Sequence, residues 1–263
     1  MQLRVNANAV NRGFSAAGKC ISGMLDRLLS VSDSTRAFDV LKRLGQHCIE
    51  PWALTGGLPI EIHLLLAGQI PQRRSLNDLD FIATCFADIP GTLARQFLFR
   101  HVHPAEVPGR IMIQFVDVET KLRVDLFPAT GKSMRRAGQM DLPTGRIGVV
   151  ALEDLIARTA RLSLDIASGI PIPAKHAADF TRLSDLVGPM DVQSAWSDHR
   201  KPDHPAVFKD AKDLLRNLIP KRSDLLIVPD YSKDISAACP RCVSTPVFPL
   251  ADRHTIFSLL GYC

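Results

Sequence analysis

Apolar residues change rhythm along this chain, and the change divides it. Before residue 150, short runs that alternate or cluster over four to eight positions are mixed with helical spacings. After it, the spacing is helical throughout. A short helix is expected around Ile21 to Leu29. Ser34 is placed to cap a second, in which Phe38, Leu41 and Leu44 recur before Pro51 ends it. Trp52 to Thr55 reads as a strand, Gly56-Gly57 as a turn, and Pro59 as the first position of a helix from Ile60 to Ala67, closed by Gly68. A loop from Gln69 to Ser75 leads into a strand from Asp78 to Ala83.

Pro90 to Phe99 reads as a helix. Arg110 to Val118 and Lys121 to Phe127 read as a hairpin turning at Glu119-Thr120, with Leu122, Val124 and Leu126 alternating against Arg123, Asp125 and Phe127. Ala129 to Thr144 is loop-rich, and Ile147 to Val150 is a short strand. Helices are expected at Leu152 to Ala167, Ala174 to Val187 and Ala206 to Leu218, with the linker at His199 to His204. The pattern predicts an α/β (α+β) fold: a small mixed sheet of three or four strands over 34–150, then a helical domain over 151–198. Residues 1–33 form an N-terminal tail with a short helix, and 199–263 a C-terminal extension.

The strand pattern aims charge. On a strand, residues two apart share a face, so Asp78 and Asp80 lie together while Leu79 and Phe81 face the other way. Two like charges held side by side in an apolar run call for a counter-charge, and a divalent cation supplies it. Asp125, in the later strand, is the candidate third ligand, with Asp117 and Glu119 of the same hairpin as rivals. Gly56-Gly57, between a strand and a helix, lets a ligand approach the backbone at the positive end of the helix, where phosphate binds. Arg74 has the fork geometry for a triphosphate. These residues predict a metal-dependent phosphoryl-transfer site.

The sequence Thr55-Gly56-Gly57, then Arg74-Ser75-Leu76-Asn77-Asp78-Leu79-Asp80-Phe81, then Arg123-Val124-Asp125-Leu126, resembles the nucleotidyltransferase superfamily related to DNA polymerase β. Within it the chain is similar to the AbiEii-type toxins of abortive-infection and type IV toxin–antitoxin systems, in the helical runs Ala151 to Arg158 and Lys175 to Asp179 as well. The resemblance spans residues 34 to 190. It implies Mg²⁺ on Asp78, Asp80 and Asp125, and a nucleoside triphosphate held by Gly56, Gly57, Arg74 and Lys175. The acceptor would be a tRNA end, a protein or a small molecule, and an antitoxin protein would be a partner. Where such proteins carry a lysine on the first downstream helix, this chain has Thr159, between Arg158 and Arg161. Lys175 and Asp179 also have the i, i+4 spacing of a plain surface ion pair.

Composition narrows the picture modestly. The 263 residues carry a net charge of +5, with a pI near 9.0, which suits a polyanionic partner. No run approaches the roughly 20 apolar residues of a membrane span, and Met1 to Gly18 does not resemble a secretory signal. The six cysteines form no disulfide framework, so a cytoplasmic protein is expected. Cys239-Pro240-Arg241-Cys242, with His254 and Cys263, has half the spacing of a zinc knuckle, and without a second pair no structural zinc is expected. Two other classes remain open: a non-catalytic module of the same fold that holds RNA or nucleotide, and a zinc-stabilised interaction module.

Overall fold

The computed structural model describes residues 21–228, except 48, 50, 87–88, 104–111 and 143, together with 248–249. Met1 to Gly18 and the Cys239–Cys242, His254 and Cys263 group lie outside the described residues.

The chain opens with helices α1 (Ile21–Leu28) and α2 (Val31–Leu44). Ser30, not Ser34, caps α2: its side chain accepts from the Asp33 amide at 3.2 Å, whereas Ser34 is buried inside the helix and donates to Asp26 Oδ1 at 2.5 Å. Strand β1 (Trp52–Thr55) leads into α3 (Gly57–Leu66), which begins two residues before Pro59 because Gly56 itself is the N-cap. Strand β2 (Asp78–Ala83) follows as expected.

The segment read as a helix from Pro90 is a single 3₁₀ turn (Gly91–Arg95) followed by strand β3 (Phe97–His103). Antiparallel pairing with β4 (Met112–Asp117) overrides the local helical spacing there. Strand β5 (Arg123–Pro128) completes the expected hairpin with β4. Asp117 fixes its turn by accepting from the Thr120 amide and hydroxyl, both at 2.7 Å. The stretch expected to be loop holds a helical turn, α4 (Ser133–Arg136), and strand β6 (Gly138–Leu142), paired antiparallel with β7 (Gly145–Val149).

These strands form one sheet in the order β10-β3-β4-β5-β2-β1-β7-β6, with β10 being Phe248–Pro249. The sheet therefore has eight strands, not three or four. Strands β3 and β6, on opposite sides of the sheet, are ones that local pattern does not reveal. The fold is mixed α/β, and β2 runs parallel to β5 and antiparallel to β1.

The helical half comprises α5 (Leu152–Ser163), α6 (Ala174–Leu183), α7 (Pro189–His199) and α8 (Phe208–Lys221). A two-strand parallel tie, β8 (Ile172–Pro173) with β9 (Leu226–Ile227), accompanies them. Helix α7 has no counterpart among the expected elements. The residues after it form a turn in which His204 stacks on Trp196 at 5.9 Å, and Phe208, Ala211 and Leu215 join the same apolar cluster as α5 to α7.

Strand alternation sorts the core into two clusters. Leu54, Leu79, Phe81, Val124 and Leu126 pack with α1 and α2, around Trp52 stacked on Phe115. Ala53 and Ile82 face α5 to α8 instead. Asp78, Asp80, Arg123 and Asp125 are in phase with this second face, which carries the site.

Candidate functional site

The parallel register of β2 and β5 sets Asp80 opposite Asp125, and Asp78 opposite Arg123. One carboxylate oxygen from each of Asp78, Asp80 and Asp125 lies within 4.8 Å of the others. Sequence placed all three, and the structure brings them together. The rivals for the third position are committed elsewhere: Arg43 of α2 donates to both oxygens of Asp117 at 2.7 Å and to Glu119 at 2.8 Å. Asp125 is oriented from the neighbouring strand, where Gln114 Nε2 donates to its Oδ1 at 2.8 Å.

Proximity has an electrostatic cost. Burial, with the charges of Asp78 and Asp125, pushes the Asp80 carboxyl up to about 7, although Arg158 and Lys175 pull it the other way. An all-oxygen set of three carboxylates that cannot comfortably hold its own charge fits a hard divalent cation such as Mg²⁺ or Mn²⁺.

Gly56 explains its own identity. Its φ is +78°, and a Cβ there would stand 2.0 Å from Asp80 Oδ2. Only glycine allows both that backbone and that approach. Gly57 opens α3 next to it, with the Arg74 guanidinium alongside: a Cβ on Gly57 would meet Arg74 Nη1 at 3.1 Å.

Arg74 is held on two sides. Its Nε donates to Glu61 Oε1 at 2.8 Å, its Nη1 to Asp179 Oδ2 at 3.3 Å, and its Nη2 pairs with Asp179 Oδ1. Glu61 in turn takes both Arg182 Nη atoms, at 2.5 and 2.9 Å, and the Gln72 amide at 2.8 Å. Burial favours the neutral form of Glu61, but these donors outweigh it and hold the carboxyl below its usual range. Asp179 thus meets Arg74, and Lys175 lies close enough to Asp80 to favour its ionised form.

Three residues were not singled out from sequence. Arg158 of α5 donates to Thr55 Oγ1 at 2.8 Å, lies 5.8 Å above the Phe127 ring and acts on Asp80. The neighbouring Thr159 is turned inward, its hydroxyl donating to the Leu155 and Ile156 carbonyls. His176 is pushed down to about 4 by burial and by Lys175 and Arg158, so it is neutral at pH 7. Arg123 pairs with Asp78, and its Nε is 3.3 Å from Asp125 Oδ1. The sequence held one signal for Arg123: two residues before Asp125 on a strand is the same face.

A cavity of about 720 Å³ opens over this constellation, lined by Gly56, Gly57, Asp78, Asp80, Arg158 and Lys175 among others. That volume is in the range of small-ligand sites.

No protein-family model matches the chain, and no curated protein matches it. Among solved structures it is similar to JHP933 from Helicobacter pylori, at 15% identity and a TM-score of 0.41, over 89% of this chain and 93% of that one. It is also similar to an antigenic nucleotidyltransferase-like protein from Paracoccidioides brasiliensis, at 15% identity and a TM-score of 0.38, over 73% and 91% of the two chains.

Proposed function

We propose that this protein is a nucleotidyltransferase that moves a nucleoside monophosphate from a nucleoside triphosphate to an acceptor hydroxyl. The observation that carries the reading is the convergence of Asp78, Asp80 and Asp125 to within 4.8 Å, beneath a cavity walled by the Gly56-Gly57 turn. Asp78 and Asp80 are the cation ligands, and Asp125 completes the set. A bound Mg²⁺ would supply Lewis-acid polarisation of the phosphate oxygens. The amides that open α3 at Gly57 and Leu58 receive phosphate at the positive helix end. Lys175 and Arg158 offer cationic charge from the helical wall.

Arg74, tied to Glu61 and Asp179, braces the Gly57 turn and adds charge to the cavity wall. In the transfer the acceptor oxygen bonds to the α-phosphorus, the bond to the bridging oxygen breaks, and pyrophosphate leaves with that electron pair. The acceptor proton passes to a carboxylate, for which Asp125, oriented by Gln114, is the candidate.

The acceptor classes are a tRNA end, a protein and a small molecule such as an aminoglycoside. A toxin role with an antitoxin partner is supported by the AbiEii resemblance. The test incubates the protein with labelled ATP, CTP, GTP or UTP and Mg²⁺, together with tRNA, cell extract or an aminoglycoside. Asp78→Asn/Asp80→Asn runs alongside. Label transferred by wild type alone supports the reading, and the labelled species names the acceptor. Absence of both transfer and nucleotide binding overturns it in favour of a non-catalytic module.

A further inference from the structure

Arg123 occupies an unusual position. Along β5 its same-face neighbour is Asp125, and across the strands its register partner is Asp78. Its guanidinium pairs with Asp78, and its Nε lies 3.3 Å from Asp125 Oδ1. The Nε–H is nevertheless buried without a hydrogen-bond partner. One end of the fork is engaged and the other is not. A second arginine in the molecule shows what full engagement looks like: Arg136 donates from Nε and Nη2 to the two oxygens of Asp154, both at 2.8 Å. Arg123 also lines the cavity, so open space lies next to it.

We propose that Arg123 is a resident counter-cation of the three-carboxylate site, which a divalent ion must displace from Asp78 before it can bind. The inference rests on the metal-binding reading above and adds a competitor to it. A unit positive charge in contact with a ligand carboxylate opposes a second cation there, strongly at the low effective dielectric of a partly buried site. The same charge keeps Asp78, Asp80 and Asp125 from repelling one another in the metal-free protein. Arg123 therefore weakens metal affinity and lends stability to the metal-free state. These two effects have opposite signs when it is removed, which a merely structural arginine would not produce.

The test titrates Mn²⁺ alone, without nucleotide, into wild type, Arg123→Gln, Arg123→Lys and Asp78→Asn/Asp80→Asn, reading free Mn²⁺ by electron paramagnetic resonance. Melting temperatures are taken in EDTA and in Mn²⁺, with far-UV circular dichroism to show that each variant is folded. Arg123→Gln is expected to bind Mn²⁺ about tenfold more tightly than wild type. It should melt lower than wild type in EDTA and gain more from Mn²⁺. Arg123→Lys, which keeps the charge without the fork, should fall between the two. Arg123→Gln binding no more tightly than wild type, while the double asparagine variant loses binding, overturns the displacement proposal and leaves the metal site standing. No Mn²⁺ binding by wild type or by Arg123→Gln overturns both. If Arg123→Gln fails to fold, Arg123→Lys carries the decision: affinity at or below that of wild type overturns the proposal.

Discussion

Arg136 and Arg123 each meet aspartates in the interior, and the surroundings of the two differ in kind. Around Arg136 the charges close. Asp154, wholly buried, takes Arg136 through two bonds and His199 Nε2 at 3.0 Å, while Asp198 takes Arg136 Nη2 at 2.7 Å and the Lys132 amide at 2.9 Å. The donors hold both carboxyls below their usual range, although burial works the other way. Around Arg123 three carboxylates face one guanidinium. Asp80 is pushed up by burial and by its neighbours. The closed cluster fastens α4 to α5 and α7. The open one crowds its carboxylates together and has space above it, which is what a ligand site needs.

The difference can be broken from either end. The largest effect is expected on chemistry: Asp78→Asn/Asp80→Asn should lower label transfer by about 10³-fold or more and leave the melting temperature of the metal-free protein unchanged or higher. In the closed cluster the same kind of change should act on stability. Asp154→Ala leaves Arg136 and His199 without their shared partner, and urea unfolding should show a loss of about 3 kcal/mol. A stability loss of that size from the double asparagine variant would erase the distinction between the clusters.

Gly56→Ala comes next, with about 2 kcal/mol of destabilisation from its positive φ and the displaced Asp80. It should also weaken Mn²⁺ binding, and a variant with wild-type melting and affinity would refute the close approach. The last effect is a slope against pH. Because the folded-state pKa of Asp80 lies above its unfolded value, the native state holds the extra proton. The stability of the metal-free protein should then fall as pH rises from about 4 to about 7 and level off above that. Asp80→Asn should flatten that part of the melting profile, and an unchanged slope would place the carboxyl at an ordinary value.

The sequence made some of this legible and hid the rest for physical reasons. Alternation at 78–83 and 122–127 fixed which residues face the core, and so placed Asp78, Asp80 and Asp125 together. That follows from strand geometry, which is local. The Gly56-Gly57 turn was equally plain. The start of β3, Phe97 to Phe99, was read as the end of a helix because its identity depends on pairing with β4, and α7 was missed because its apolar residues are few. The partners of Arg74, Arg136 and Arg158 join positions 13 to 105 residues apart, and no spacing rule reaches that far. Glu61 was legible in hindsight as a lone acid in the apolar helix Ile60 to Leu64, a position that requires buried counter-charges.

The parallel pairing of β2 with β5 also bears on how the protein comes into being. Asp80 and Asp125 are partners in register yet 45 residues apart in the chain, with β3 and β4 made in between. A ribosome that has delivered the glycine turn and the first two aspartates has delivered no third carboxylate and no Arg123. Pairings this distant close slowly, because the chain entropy must be lost before the contact forms. The three-carboxylate cluster is therefore absent from the unfinished chain and arrives only when β5 docks.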